Sequence, residues 1–554
     1  MLRYARNDEL LNTLALCKEV NSMKKGYLLI LLALIICLSL AACAAPSQAP
    51  ASAPSAKPAA TSAAGTPQYG GVLKIIRRDG PSQMGAQTDD QAVNQHYGLP
   101  AFDPLAWFDE LGQPELGPGR VLTAVNIAPE GKSVTLTLRK GVKFHDGTDF
   151  NAEALKYNYA NIPTSRRSFL QSVTSMDVID DYTFRFNLSK FDVVLLENLP
   201  MGSGYIASPT AAKKPTTTEN IAKDHCIGTG PFKVVSWQRD ISVKYEKFSG
   251  YWDQGKPYLD GIEITGVVDP VTALMSFESG GGDILIDVAP DDAVRLKAKG
   301  FRIVSLKGLG PGLIPDGANA DSPFANKLVR MALEYALDRQ TLAKELGYGF
   351  YEPAYQICYA LLGYNPDIEG RKYDPVKAKQ LLSEAGYPKG FKTSLIFPTV
   401  KSVGGRINQN EVVAIQTYLR EVGIEAELDM ADTARFTSLG QNGWRGIMCG
   451  DALAGPAVVG VAQRRLDKAA PANRSIFRPA GFQETFDAAR SEPNLAQRQA
   501  SVKKMTRIMY DEVMIVPLWQ KSNIVAMKQS VQGSKYMETN YEYLWYPGGA
   551  WLSK

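Results

Sequence analysis

Across residues 134–138 apolar and hydroxylated positions alternate, with Val134, Leu136 and Leu138 set against Thr135 and Thr137. This period of two predicts a half-buried strand. Arg139, Lys140 and Gly141 turn the chain, and Val142 and Phe144 resume the alternation as a second strand. His145, Asp146 and Gly147 predict a further turn in which the glycine takes a positive φ that other residues resist. Asn151 then reads as a helix N-cap and Glu153 as a first-turn acid that suits the helix dipole, while Ala152, Leu155 and Tyr159 form one apolar face.

The same two periods recur along the chain. Residues 70–76 (GGVLKII) read as an opening strand, and residues 179–188 as a turn at Asp180 and Asp181 feeding a strand with Tyr182, Phe184 and Phe186 on one face. Asp321, Ser322 and Pro323 predict a helix start, with Leu328, Val329, Ala332, Leu333, Ala336 and Leu337 as its buried stripe. Asp374 and Pro375 predict another, with its stripe at Ala378, Leu381, Leu382 and Ala385 and its end at Gly386 and Pro388. Val412, Ile415, Leu419 and Val422 mark a helix ended by Gly423, after which Ile424, Ala426 and Leu428 alternate as a strand. Such helix-to-strand alternation builds α/β lobes.

Composition narrows the class. A chain of 554 residues holds two or three domains. With 45% hydrophobic and 21% charged residues it reads as globular, unlike a disordered or polytopic chain. A net charge of +4 gives no basic field, so no nucleic-acid partner is expected. Gly228 to Phe232 (GTGPF) lacks the length and the lysine of a phosphate loop, and no cofactor is expected. No GxSxG, no HExxH and no cysteine–histidine arrangement suggests an enzyme. An extracellular hydrolase working with two carboxylates stays open as a competing class.

The N-terminus reads as an address. Lys24 and Lys25 precede an uncharged run, residues 26–42, shorter than the roughly 20 residues of a comfortable membrane span. That is the pattern of a signal peptide, with residues 1–22 as an extension upstream of a start at Met23. An uncleaved membrane helix is the alternative. Leu40, Ala41, Ala42 and Cys43 resemble a bacterial lipobox, which implies lipidation of Cys43 and a membrane anchor. Residues 44–68 are almost entirely Ala, Pro, Ser and Thr, a tether without a core. An extracytoplasmic location follows. Beyond Cys17, Cys37 and Cys43, three cysteines remain at 226, 358 and 449, either one disulfide and a buried thiol or three free thiols. Their spacing fits no zinc site, and no metal is expected.

The wording of several segments is more specific than their pattern. TLRKGVKFHDGT with FNAE after one residue, at 137–153, and YDPVKAKQLLSEAGYPKG, at 373–390, resemble signatures of the family 5 extracellular solute-binding proteins, receptors of peptide, nickel and oligosaccharide ABC importers. FDPLAWFDELGQPELG, GTGPF, GYWDQGKPYLDGIEI, SGGGDI and VRMALEYALDR follow in the family's order. The resemblance implies an α/β fold of the periplasmic binding protein class II type, three-lobed with a hinged ligand cleft. It lays out residues 1–42 as signal peptide with its extension and 43–67 as tether. Lobe I would then be 68–114, 227–316 and 530–554, lobe II 115–226, and lobe III 317–529.

In peptide-binding members an aspartate pairs with the ligand's α-ammonium, and the matching segment GIMCGDALAGP places Asp451 there, beside Gly450. A buried ammonium needs such a partner. The segment departs from the peptide binders, which continue with D-P or E-P, because Ala452, Leu453, Ala454 and Gly455 precede Pro456 here. A turn aspartate holding only backbone is the alternative. Trp444 reads as an apolar or sugar-stacking wall of the cleft, or as core. The expected function is a monomeric receptor that delivers a di- or oligopeptide to an ABC permease. An oligosaccharide or a nickel chelate is the alternative cargo, and a sensory receptor shares the architecture. His96, His145 and His225 are the only histidines, which makes bare nickel a poor fit.

Overall fold

A computed structural model describes residues 65–554, apart from 91, 93, 118–119, 309, 359–361, 400–406, 453–454, 456, 471 and 535–544. Cys43, the signal segment and the tether therefore lie outside the described residues. Among the described residues no helix is long and apolar enough to cross a membrane.

Three sheets organise the chain. The first has seven strands in the spatial order Arg302–Lys307, Ser522–Met527, Ile284–Ile286, Val72–Arg77, Gly261–Gly266, Ser242–Lys247 and Phe232–Gln238. Val72–Arg77 runs parallel to both of its neighbours, and every other pairing in the sheet is antiparallel. The period of two sorts its residues between two cores. Leu73, Ile75, Ile284, Ile286, Val525 and Met527 face one, while Ile76, Leu285, Ile524 and Ala526 face helices Pro270–Glu278 and Pro290–Ala298.

The second sheet is an antiparallel meander, Leu122–Ile127, Ser133–Leu138, Thr183–Leu188 and Val173–Asp180 in spatial order. Val134 lies opposite Phe186 and Leu136 opposite Phe184, so the alternation read from the sequence becomes cross-strand packing. Helix Ala152–Asn161 lays Tyr159 on that face, 5.1 Å from the Phe186 ring. Its N-cap is Asn151, which accepts from the Ala154 N–H. Val142 and Phe144 are buried but belong to no strand; a single bridge from Lys143 to Asp149 closes the expected second strand into a tight loop. Gly147 turns that loop at φ +83°.

The third sheet places Ile424–Ala431, Phe391–Pro398 and Ile447–Asp451 side by side in parallel, then Pro311–Pro315 and Val516–Pro517 antiparallel. Helices Pro375–Glu384 and Gln409–Glu421 cover it with the stripes expected from sequence, and Asp374 accepts from the Lys377 N–H as its cap. One start is corrected. Ser322 caps only the 3₁₀ turn Pro323–Ala325, because Asn326 returns to extended backbone at ψ 124°. Asn326 itself caps the helix Lys327–Tyr335.

The two sequence motifs first singled out meet in space. Gly228 and Gly230 of GTGPF lie against the chain at 100–102, where a Cβ on Gly228 would stand 2.2 Å from the Ala101 carbonyl oxygen. His145 seals the junction, donating from its backbone N–H to Gly228 and from Nε2 to the Gly230 carbonyl at 2.9 Å. Burial lowers its pKa to about 4, so the imidazole is neutral. Cys226, Cys358 and Cys449 are buried thiols outside any disulfide, the second of the two arrangements their odd number allowed.

Candidate functional site

Parallel strands present ligands at their carboxyl ends. In the third sheet Phe391–Pro398 and Ile447–Asp451 end side by side, and Pro398 and Asp451 both line a cavity of about 230 Å³. Ile314, Phe436 and Met448 give it apolar walls, while Thr437, Gln441 and Asn473 add neutral polar groups. Asp451 and Arg465 are the only charged side chains among its described lining residues.

These two residues are joined. Arg465 closes helix Val458–Arg465 and reaches back to Asp451, donating from Nη1 to its carbonyl oxygen at 2.8 Å and from Nη2 to Oδ2 at 2.9 Å. Oδ1 of Asp451 is buried and has no hydrogen-bond partner among the described residues. A carboxylate oxygen removed from water without a donor carries a desolvation cost of about 1–3 kcal/mol that a ligand donor would relieve.

Gly450 lines the same cavity, and a Cβ there would stand 3.0 Å from Ile314 Cδ1. Trp444 is not among the lining residues. It is 3% exposed and belongs to a hydrophobic core, with its backbone N–H held by Ser475 Oγ at 2.9 Å. The structure thus brings Asp451 and Gly450 together and sets Trp444 apart as core.

Sequence reasoning missed Arg465 and the residue behind it. Helix Val458–Arg465 has no side-chain cap from its own first residues. Glu197, on helix Val193–Asn198, supplies one from 263 residues away, accepting from Gly460 N–H at 2.6 Å and from Val459 N–H at 3.3 Å. Burial pushes the Glu197 carboxyl up to about 7, against the pull of these two donors and of Arg464 and Arg498. Nearby, Asp192 is fully buried and accepts from Arg490 Nε at 3.0 Å and Nη2 at 2.5 Å. Arg498 also donates to Gln113. One helix therefore joins the cavity to the meander sheet's flank. The paired arginines at its end suit a helix C-terminus, which is the one local signal that could have pointed to Arg465.

His96 contacts Asp79 at 3.2 Å and His225 contacts Asp89 at 2.9 Å; with His145 on Gly230, all three imidazoles serve packing contacts away from the cavity. Among the described residues no three His, Cys, Asp or Glu side chains gather as a metal site.

A model of the Bacterial extracellular solute-binding proteins, family 5 Middle, matches residues 118–449. The glutathione-binding protein GsiB of Salmonella typhi is 32% identical over 320 residues, which cover 56% of this chain and 60% of GsiB. The match thus spans less than two thirds of that relative. Among solved structures, the periplasmic binding protein DppA from Helicobacter pylori in complex with peptide STSA superposes with a TM-score of 0.69 at 23% identity, covering 88% of this chain and 99% of DppA. NikA from Brucella suis in complex with Fe(III)-EDTA gives 0.71 at 20% identity, covering 85% and 99%. These likenesses carry the fold, a mixed α/β architecture of the periplasmic binding protein class II type.

Proposed function

Given that the chain belongs to the bacterial extracellular solute-binding proteins of family 5, we propose that it is the extracytoplasmic receptor of an ABC importer. In this reading it captures a small peptide or peptide-like solute between two lobes and presents the closed form to the permease's transmembrane subunits, with no catalytic cycle of its own. The observation that carries the reading is Asp451 Oδ1, a buried oxygen without a donor on the wall of a cavity at the carboxyl end of its strand. A ligand ammonium supplies that donor, and charged hydrogen bonds of this kind contribute about 1.5–3 kcal/mol. The glutathione-binding relative and the peptide-bound DppA support a ligand of this class.

Two neighbouring crossings between sheets support the hinge in this reading. The chain passes from Arg302–Lys307 in the first sheet to Pro311–Pro315 in the third, and returns from Val516–Pro517 to Ser522–Met527. A hinge in which few residues absorb the motion fits such paired connections. The lobe boundaries at 114, 226, 316 and 529, a monomeric state and a lipid anchor on Cys43 belong to the same proposal.

Native mass spectrometry of the purified protein, followed by denaturation and analysis of what is released, tests the cargo. Peptides or peptide-like amines of narrow mass range are expected, and Asp451→Asn is expected to bind them about ten- to a hundredfold more weakly. Released oligosaccharide or metal chelate would sink the peptide reading and keep the receptor. An empty protein that hydrolyses a peptide or glycan panel would overturn the receptor itself.

A further inference from the structure

We propose that the outer edge of the meander sheet carries a second ligand site, one that takes a small amphiphilic carboxylate such as a medium-chain fatty acid. It shares no described lining residue with the Asp451 cavity.

The space has a local origin. Val173–Asp180 is the outermost strand of the sheet, and Val173 and Met176 lie opposite Leu188 and Phe186, on the face that helix Ala152–Asn161 covers. That helix ends at Asn161. The backbone turns extended at Ile162 (ψ 130°) and Pro163 (ψ 143°), and the chain continues as two 3₁₀ turns, Thr164–Arg166 and Ser168–Leu170, instead of as a longer helix. Helix end, turns and edge strand line a cavity of about 510 Å³, within the roughly 300–1,000 Å³ of small-molecule sites.

Its lining sets the ligand class. Leu170, Val173 and Met176 are half-buried apolar side chains packed against the core beneath, a surface that an apolar body would remove from water. Arg167 supplies a cation. Its Nη2 donates to the Tyr159 and Ala160 carbonyls at the carboxyl end of the helix, which holds the guanidinium in place. The N–H groups on its Nε and Nη1 have no partner among the described residues. Tyr159 also lines the cavity, and its hydroxyl is buried with no partner among the described residues. Burial raises its pKa far above the ordinary range, so the hydroxyl keeps its proton and is a donor in need of an acceptor. A guanidinium and an unmatched hydroxyl beside apolar walls fit an acceptor that bears negative charge on an apolar body. A carboxylate accepts from both, and its bond to the guanidinium is of the stronger, charge-assisted kind. A cationic amphiphile meets Arg167 as a like charge, and an alcohol brings one oxygen and no charge.

Octanoate, octan-1-ol and octylammonium share a chain and differ only at the head. Titration calorimetry on the intact protein should show octanoate binding about tenfold or more tightly than octan-1-ol, and octylammonium binding more weakly than either. Arg167→Gln should remove the advantage of octanoate over octan-1-ol, whereas Arg167→Lys, which keeps a cation at the helix end, should retain part of it. Tyr159→Phe removes the hydroxyl alone and should weaken octanoate about threefold or more. Ser168 lines the cavity from an exposed position, so Ser168→Trp fills the space while leaving the guanidinium, and should abolish octanoate binding. Arg465→Gln, in the other cavity, should leave octanoate binding unchanged. Octanoate that binds no more tightly than octan-1-ol, or not at all, would overturn the proposed ligand class. Octanoate binding that survives Ser168→Trp, or falls in Arg465→Gln, would place it elsewhere and overturn the site.

Discussion

Replacing Glu197 with glutamine separates two forces that act on one carboxyl. The side chain is 1% exposed, and burial favours the neutral acid. Two backbone N–H groups and the N-terminal end of helix Val458–Arg465 favour the carboxylate. Burial prevails, and the pKa rises from the usual 4.5 to about 7. A carboxyl whose folded pKa exceeds its unfolded one holds more protons folded than unfolded between the two values. Stability is therefore lost as pH rises through that window.

At about 1.36 kcal/mol per unit, ionising Glu197 costs the fold about 2 kcal/mol more at about pH 8.5 than at about pH 5.5. Glutamine matches the neutral acid in shape and cannot ionise. Whatever its stability at the lower pH, the variant should therefore gain on the native protein by about 2 kcal/mol between the lower pH and the higher one. Urea unfolding of both proteins at the two pH values measures this double difference. Asp103, raised to about 7, and Asp287, raised to about 6, titrate alike in both proteins and cancel. A stability difference that stays constant with pH, or moves against the variant as pH rises, would show that the helix terminus holds Glu197 ionised and would refute the reasoning.

Two further outcomes are expected. Asp192→Asn removes the fully buried carboxylate that holds Arg490 at a junction between the meander sheet's flank and helix Phe482–Ser491, leaving Asp467 at 3.9 Å as the nearer remaining charge, and should cost about 3 kcal/mol in urea unfolding. A loss below about 1 kcal/mol would mean that the pair behaves like a surface ion pair. For Cys43→Ser, the proposed anchor predicts that the protein moves from the membrane fraction to the soluble fraction; continued sedimentation with membranes would remove the lipid from the account.

What the sequence made legible was what neighbouring residues decide among themselves. Asn151 and Asp374 cap their helices within three residues of chain, and Val134 to Leu138 alternate because strand geometry requires it. The helix start at Asp321 went wrong on the same local logic: an acid, a serine and a proline favour a first turn, but they do not decide whether the turn continues, and Asn326 returns to extended backbone before the helix proper. At the candidate site the limit is sharper. The wording around Asp451 marks it as a candidate, and it lines the cavity, whereas Trp444, seven residues earlier, lies before the positive-φ turn at Gly446 and outside the strand, so strand alternation does not carry to its side chain. Arg465 reaches Asp451 only because a helix of eight residues folds back over the strand end, and that helix starts where it does with the carboxyl group of Glu197 at its N-terminus. Gly460 fits the same junction, since a Cβ there would stand 2.8 Å from Glu197 Oε2. In the sequence this glycine reads as a flaw in a helix; in the fold it is the opening through which a distant acid caps the helix that carries the cavity's cation.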